Sequence, residues 1–390
     1  MIMTQPVSPY FTKSEALDVA AFEALCDRQP SVTDYPMAAR IQSRVPLYVA
    51  RDILAASQDA STRRDLLEEW HRCLLEGPGV LVIQGMYSDT RTVDDASACF
   101  LDIIEREKVS GERGDHFAPP GSNDRIWNAF QKHGLEDPSG FVDYYANPLM
   151  ALVCEAWLGP FYRITSQVNV VNPGGQAQSP HRDYHLGFQP DDIVSRFPMS
   201  MQMASQLLTL QGAIAHTDMP LETGPTQLLP YSQRYPQGYL AWRDPEFQAV
   251  FAQHHVQLPL TKGDGLFFNP ALFHAAGANR SGDRRMANLL QVSSAFGQCM
   301  EAVDLHVLVT HCYPALQARY TQEGLSPSLQ ACIAAIAEGY AFPANLDRTP
   351  PRDGMAPETP QQLLERALAE GWSSSQLQEG MQQQHQSRQP

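Results

Sequence analysis

A run of short predicted strands between residues 161 and 293 constrains the fold of this chain more than any other feature. Gly, Pro, Asn and Asp residues separate the strands and predict turns between them. Eight short strands at such spacings are typical of a β-sandwich or barrel, whereas a βαβ fold would alternate strands with helices. The candidate strands are 164–171, 181–186, 205–216, 226–229, 255–260, 264–268, 271–275 and 286–293.

Helical patterns precede this strand-rich segment. Residues 60–76 place apolar side chains at helical spacing, a Gly-Pro-Gly turn follows, and residues 80–83 (VLVI) predict a short buried strand. The remaining elements predicted before the strands are helices over 91–108 and 146–157 and a long loop over 109–124.

Helices are also predicted after residue 300. Ser326 and Thr359 are each followed by proline, which is typical of an N-cap with proline at the first helical position, and Gln362 completes a capping box with Thr359. The last 15 residues contain seven glutamines and almost no apolar residues, so they predict a disordered tail. The predicted organisation is an N-terminal helical and loop region (1–78), a β core with helical insertions (79–300), a helical extension (301–372) and the tail (373–390).

Composition narrows the class of partner. The chain has 28 basic and 43 acidic side chains, a formal charge of −15, which argues against a nucleic-acid-binding surface or an anionic membrane surface. Its seven cysteines contain no C-x-x-C pair, which argues against a disulfide framework and a structural zinc site. No secretory signal and no apolar stretch of membrane-spanning length are visible. We therefore expect a cytoplasmic protein with a small-molecule substrate and no membrane span.

One constellation carries the chemistry. His181 and Asp183 lie two residues apart on a predicted strand and so share a face, as does His185. His274 lies in a later apolar strand, and Arg285 follows eleven residues after it. Two histidines and one carboxylate make the facial set that binds Fe(II) and leaves three coordination positions open. We therefore predict His181, Asp183 and His274 as metal ligands.

A second H-x-D triplet, His216-Thr217-Asp218, competes with this assignment. About five predicted strands separate His181 from His274, enough to bring opposite sheets together, whereas only about three separate His216 from it. This favours the earlier triplet. The pair His216 and Asp218 then has a structural role next to the turn at 220–225.

Three segments together resemble the phytanoyl-CoA dioxygenase family of Fe(II)/2-oxoglutarate oxygenases: NPGGQAQSPHRD, ETGPTQLLPYSQR and KGDGLFFNPALFHAAGANRSGDRR. The resemblance covers roughly residues 79–300. It implies a double-stranded β-helix, a jelly-roll barrel of two four-stranded sheets flanked by helices, with Fe(II), 2-oxoglutarate and O₂ as cofactor and co-substrates. The presence of Asp183, rather than the small residue of the related halogenases, favours hydroxylation or a related oxidation.

The resemblance also implies roles for single residues. Arg285 would pair with the distal carboxylate of 2-oxoglutarate, a task suited to a bidentate guanidinium. Arg280 and Arg284 are its rivals, although the small Ala287 shares a face with Arg285 and leaves room for the co-substrate. Asn169 resembles a position that contacts 2-oxoglutarate. Further candidates for substrate or supporting contacts are Gln167, Arg182 and His185.

The substrate is the least constrained part of the prediction. Residues 186–204 form a Met- and Phe-containing connection directly after the first ligands, which favours an apolar or partly apolar substrate. The alternating Met199, Met201 and Met203 are typical of a strand. Two other functions share the same ligands: a cupin-like metalloenzyme that does not use 2-oxoglutarate, and a non-catalytic metal-binding barrel.

Overall fold

The computed structural model describes residues 10–11, 17–111, 121–183, 185–351 and 355–390. Residues 112–120 of the predicted 109–124 loop, and most of the first 16 residues, lie outside the described residues. Within the described ranges, no helix is both long enough and apolar enough to cross a membrane. All seven cysteines are described, and each is a free thiol.

Ten strands form two sheets in the described part of the chain. The larger sheet has eight strands in the order β1-β2-β3-β8-β6-β10-β5-β4, and the smaller sheet pairs β7 with β9. The strands are β1 (Arg40–Gln42), β2 (Val45–Val49), β3 (Val80–Gln84), β4 (Asn123–Ile126), β5 (Tyr162–Val171), β6 (Thr209–Ala215), β7 (Gln227–Leu228), β8 (Gly265–Phe268), β9 (His274–Ala275) and β10 (Arg285–Ser294).

Helices flank the sheets, which confirms the predicted mainly β core with flanking helices. The predicted caps at Ser326 and Thr359 accept hydrogen bonds from the first turns of their helices, and Gln362 completes the capping box. The helices are α1 (Val19–Cys26), α2 (Ala50–Ala56), α3 (Ala60–Leu75), α4 (Arg91–Ser110), α5 (Ala129–Glu136), α6 (Pro138–Tyr145), α7 (Pro148–Leu158), α8 (Asp191–Val194), α9 (Met199–Ser205), α10 (Gly238–Ala241), α11 (Pro245–His254), α12 (Leu305–Glu323), α13 (Pro327–Ile336), α14 (Pro360–Ala369) and α15 (Ser374–Arg388).

The register of the central strands sets one apolar face of the larger sheet. Strand β8 pairs antiparallel with both β3 and β6, so that Phe268 lies opposite Val80 on one side and Gln211 on the other. Because side chains alternate along a strand, Leu266 and Phe268 share a face. That face belongs to a buried cluster that also includes Ala287 and, partly buried, Leu289 of β10.

The chain divides into two compact units. The first contains the described residues of Met1–Ser88, Asp115–Asp124 and Asn169–Leu289, and the second those of Asp89–Gly114, Arg125–Val168 and Leu290–Pro390. In the second unit, helices α4 to α7 and α12 to α15 are the main elements. The boundaries predicted for the N-terminal region, core and extension stay a prediction.

The structure contradicts three sequence predictions of strands. Residues 255–260 form only isolated bridges, at Val256 and Leu260. Residues 181–186 are not a strand: His181 forms an isolated bridge, and residues 185–188 form a turn. Residues 199–205 are helical rather than extended, because Met199, Gln202 and Ser205 are the buried residues and follow a helical repeat of three. The alternation of Met199, Met201 and Met203 resembles that of a strand, but Met201 and Met203 are exposed on the helix.

Two further expectations differ from the structure. The Gln-rich tail is helix α15, with a capping box at Ser373 and Gln376 and a buried Leu377, and glutamine has a good helix propensity. The strands form sheets of eight and two rather than two sheets of four, since β1, β2 and β3 extend the larger sheet while the opposite side contains short bridges.

Candidate metal centre

Backbone pairing brings two of the predicted ligands side by side. The N–H of His181 donates to the carbonyl of His274 at 3.0 Å, and the N–H of His274 donates to the carbonyl of His181 at 3.1 Å. This mutual pair places the two imidazole rings next to each other, with 4.5 Å between their centroids. Residues distant in sequence thus share one site.

Both histidines are held with the same ring atom free to bind a metal. Nδ1 of His181 lies 2.9 Å from the carbonyl of Ser179, and Nδ1 of His274 lies 2.8 Å from the carbonyl of Leu272. A carbonyl only accepts hydrogen bonds, so each Nδ1 carries a proton, and Nε2 is the ring atom that has the lone pair in the neutral imidazole. This arrangement is the usual support for metal-binding histidines.

Asp183 lies between the two Nε2 atoms. Its Oδ1 is 3.7 Å from Nε2 of His181, and its Oδ2 is 3.6 Å from Nε2 of His274. Burial acts to raise the pKa of Asp183, but His181, His274 and a hydrogen bond from Gln211 outweigh it and hold the pKa well below its ordinary value. Burial lowers the pKa of His181. At neutral pH the site therefore offers an anionic carboxylate and at least one neutral imidazole.

The donor set fits a divalent first-row transition metal. One ligand atom from each of His181, Asp183 and His274 lies within 4.8 Å of the others, and this is the only such group of three or more among the described residues. Two imidazole nitrogens and one carboxylate oxygen are the ligands of non-haem Fe(II) oxygenases.

An aromatic ring supports the site from the sheet. Phe268 meets the ring of His274 edge to face at a centroid distance of 4.7 Å. Since Phe268 lies opposite Gln211 in the β6–β8 pair, an apolar and a polar side chain from adjacent strands border the ligands. Neither residue is evident from the sequence motif.

Of the three candidate arginines for the co-substrate, Arg285 is the buried one. Its Nη1 donates to the carbonyls of Thr223 at 3.1 Å and Gly277 at 3.4 Å, and only 7% of the residue is exposed. Burial lowers the pKa of Arg285 to about 10, so it stays charged at neutral pH. The two rivals, Arg280 and Arg284, are exposed.

These residues lie within the range of one family model. The model of the phytanoyl-CoA dioxygenase (PhyH) family matches residues 75–287, more than half of the chain. The chain belongs to the PhyH family. The cofactors predicted from the resemblance, iron, 2-oxoglutarate and O₂, are those of this family, and its jelly-roll fold is the predicted one. A search of curated proteins finds no match.

Solved structures with some similarity include a carbocyclase from nogalamycin biosynthesis and AviO1. The non-haem α-ketoglutarate-dependent carbocyclase SnoK from nogalamycin biosynthesis is 21% identical, with a TM-score of 0.46 over 62% of this chain and 90% of SnoK. AviO1 from Streptomyces viridochromogenes Tue57 is 17% identical, with a TM-score of 0.43 over 60% of this chain and 96% of AviO1. The PhyH assignment depends on the family match over residues 75–287, and not on these structures.

The two amide candidates of strand β5 share a face but have different surroundings. Asn169 is buried, and its Oδ1 has no hydrogen-bond partner in the described part of the chain. Gln167 accepts a hydrogen bond from Arg125 at 3.1 Å and contacts the sulfur of Met300 at 3.3 Å, within the second unit. A role of Asn169 toward the PhyH co-substrate stays a prediction, as does a substrate role of Gln167.

Arg182 points away from the ligands on either side of it. Its Nη2 donates to the carbonyls of Ser232 at 2.7 Å and Tyr235 at 2.9 Å. Its guanidinium lies over the rings of Tyr239 and Phe273, at 5.1 and 5.3 Å from their centroids. These contacts favour a structural role, in which Arg182 holds the His-x-Asp segment against residues 232–239.

His185 follows Asp183 on a turn rather than on a strand. Its backbone is left-handed, with φ of 54°, and its Nε2 lies 3.3 Å from the hydroxyl of Thr209 on β6. Partial burial lowers the pKa of His185. The left-handed conformation and this contact place His185 at the start of the connection that the sequence predicts to form a substrate wall.

The competing triplet is not part of the metal centre. His216 is buried, and Asp218 accepts a hydrogen bond from the backbone N–H of Lys262 at 2.9 Å. Neither belongs to a possible metal-binding group among the described residues. The residue that sequence reasoning missed is Gln211. A signal existed: Thr209 and Gln211 are polar, share one face and alternate with Leu210 and Gly212 in a buried strand.

Proposed function

We propose that this protein is a Fe(II)- and 2-oxoglutarate-dependent dioxygenase that hydroxylates a small, largely apolar organic substrate and releases succinate and CO₂. The observation that supports this most strongly is the geometry of His181, Asp183 and His274. Two free Nε2 atoms face one ionised carboxylate in a PhyH-family chain.

Each residue of the site has a separate task in this proposal. The two imidazoles and Asp183 bind iron, and bound iron with 2-oxoglutarate supplies the activation of O₂. Arg285 binds the distal carboxylate of 2-oxoglutarate, and its guanidinium is positioned by the hydrogen bonds that Nη1 donates to the carbonyls of Thr223 and Gly277. A guanidinium anchored in this way loses little freedom when it grips a carboxylate.

The support for an apolar substrate comes from the connecting segment, which we define as residues 186–208. It leaves the site at His185 and returns at Thr209, and the contact between these two side chains holds its ends together. Gly187 packs against the backbone of Arg182 and Asp183, so the segment begins beside the metal carboxylate. Its exposed apolar side chains are Phe188, Phe197, Met201, Met203 and Leu207. A mixed Phe and Met surface suits an apolar ligand of irregular shape.

Anaerobic titration of the Fe(II)-loaded protein with 2-oxoglutarate tests the cofactor part of the proposal. A saturable visible charge-transfer band should appear, and it should be lost without iron. Arg285→Met should weaken 2-oxoglutarate binding about 100-fold, since a buried charge-assisted contact is lost. Arg284→Met is the matched control, because Arg284 is exposed, and it should leave the titration unchanged. No band with stoichiometric iron would favour the function without 2-oxoglutarate.

Product analysis tests the reaction. Candidate substrates are screened by succinate release, and the product of each active compound is weighed by mass spectrometry. Hydroxylation adds one oxygen atom to the substrate. An unchanged mass, or a loss of two hydrogens, would reject hydroxylation while keeping the co-substrate. Asp183→Ala should abolish succinate release, whereas Asp218→Ala, in the competing triplet, should retain it.

Substitutions in the connecting segment test the substrate class. Met201→Ser and Met203→Ser remove exposed thioethers that are 51% and 47% exposed, so the fold should tolerate them. For an active substrate found by the screen, they should raise KM several-fold and leave 2-oxoglutarate binding unchanged. Met355→Ser, 87% exposed in the second unit, is the control. An unchanged KM in both variants would reject the connecting segment as the substrate wall.

A further inference from the structure

Strand β6 carries a short polar rail beside the metal ligands. Thr209 and Gln211 share one face of this otherwise apolar strand. Nε2 of Gln211 donates to Oδ2 of Asp183 at 2.8 Å, and the hydroxyl of Thr209 lies 3.3 Å from Nε2 of His185. Two successive side chains of the rail thus contact two side chains of the segment that follows His181.

The contact between Gln211 and Asp183 has a fixed direction. An ionised carboxylate only accepts hydrogen bonds, so the amide nitrogen of Gln211, and not its oxygen, must face Asp183. The amide oxygen Oε1 is then buried without a hydrogen-bond partner in the described part of the chain, on a residue that is 3% exposed. Burying an amide oxygen without a hydrogen-bond partner costs free energy, and an apolar side chain would fill the same space without that cost.

The two oxygens of Asp183 differ in their hydrogen bonding to Gln211. Each oxygen faces the Nε2 atom of one histidine, Oδ1 that of His181 at 3.7 Å and Oδ2 that of His274 at 3.6 Å, but the hydrogen bond from Gln211 goes to Oδ2. We propose that Gln211 is a positioning residue that holds Oδ2, so that Asp183 offers Oδ1 alone to the metal. A carboxylate that binds through one oxygen occupies one coordination position, which keeps three positions open for co-substrate and O₂. The inference rests on the proposed metal role of the His-Asp-His set.

Metal binding by the apoprotein tests this inference without 2-oxoglutarate, O₂ or turnover. Co(II) is titrated into the full chain by calorimetry, and its visible absorption is recorded. Gln211→Met keeps the length of the side chain and removes the donor. It should raise the Kd for Co(II) about 10- to 100-fold and change the absorption spectrum, as expected when a hydrogen bond to a ligand is lost.

Two other variants complete the design. Gln211→Asn keeps a buried amide but is one methylene too short to reach Asp183, so it should show the same weaker binding and serves if the methionine variant does not fold. Thr209→Val breaks the neighbouring contact of the rail, with His185, and should leave the Kd for Co(II) within about threefold of the wild-type value. Circular dichroism of each metal-free variant establishes that it is folded.

The outcomes separate the two proposals. If the wild-type protein binds no Co(II), the metal role of His181, Asp183 and His274 is wrong. If the wild-type protein binds Co(II) and a folded Gln211 variant binds it equally well with the same spectrum, the metal site stands and the positioning role of Gln211 is overturned. Equal weakening by Thr209→Val would also overturn it, since the effect would then belong to the strand as a whole.

Discussion

Replacing Arg182 by methionine should destabilise the protein and weaken metal binding together. Arg182 is 2% exposed, and burial lowers its pKa to about 10, so it is a buried cation at neutral pH. Its guanidinium bonds two carbonyls and lies over two aromatic rings. Gly238 leaves the space for it, because a Cβ at that position would overlap the guanidinium.

The magnitude follows from these contacts. A hydrogen bond from a charged group contributes about 1.5–3 kcal/mol, and a desolvated cation–π contact contributes up to about 2 kcal/mol. Methionine fills part of the space and avoids burying a charge, which offsets some of the loss. We therefore expect the free energy of unfolding to fall by about 3 kcal/mol. Because Arg182 lies between His181 and Asp183, the Kd for Co(II) should rise at least tenfold.

Urea denaturation followed by circular dichroism measures the first effect, and Co(II) titration measures the second. Arg196→Met is the control: Arg196 is exposed, and its loss should change the free energy of unfolding by less than about 0.5 kcal/mol. Gly238→Ala should destabilise the protein as well, through its overlap with Arg182. An Arg182→Met protein that unfolds at the wild-type urea concentration would refute the structural role of Arg182.

Three other predictions concern a buried histidine and the surroundings of Arg285. Burial lowers the pKa of His133 to about 4, from 6.5 in the unfolded chain, so the unfolded state takes up the proton first and stability is lost as the pH falls from 6.5 to 4. The expected loss in the free energy of unfolding is about 3 kcal/mol. Urea denaturation at pH 6.5 and pH 4 measures it, and His133→Phe should lose about 3 kcal/mol less than the wild-type protein. An equal loss in the variant would show that His133 is not the group responsible. Arg285→Lys should raise the Kd for 2-oxoglutarate about 30-fold in the anaerobic titration, because an ammonium cannot bond the carbonyls of Thr223 and Gly277 and grip a carboxylate in the same geometry. Gly224→Ala should also weaken 2-oxoglutarate binding and lower the Tm. Gly224 has φ of 70°, and a Cβ there would overlap the carbonyl of Ala278, which follows the Gly277 carbonyl that accepts from Arg285. Unchanged 2-oxoglutarate binding would show that this turn does not support Arg285.

Local patterns were enough to predict several of the longer elements. The strands over 164–171, 264–268 and 286–293 and the helices over 60–76, 91–108 and 146–157 appear within a few residues of the predicted bounds. These segments are long, strongly periodic or bounded by Gly and Pro. The strand predictions over 181–186, 199–203 and 255–260 were wrong, because a short alternating pattern is equally compatible with a turn, an extended loop or one face of a helix.

The sequence by itself determined the kinds of atoms in the site. The H-x-D triplet and His274 could be predicted as metal ligands from residue types and spacing, since a facial iron site needs two imidazoles and a carboxylate. The role of Arg285 was implied by the resemblance to the PhyH family, and its neighbours Arg280 and Arg284 stayed open as alternatives. It did not determine the supporting contacts. Arg182 and Gln211 are 50 and 28 residues along the chain from the groups that they contact.

Only the tertiary structure decided which of these polar residues are buried and which groups they contact. It buries Arg285 and exposes Arg280 and Arg284, although all three are close in sequence. It turns Arg182 away from the ligands and onto two buried aromatic rings, and it places Gln211 against Asp183. The physical reason is that strand pairing between distant segments sets which side chain faces which, and burial then fixes the charge and the hydrogen-bond direction of each group.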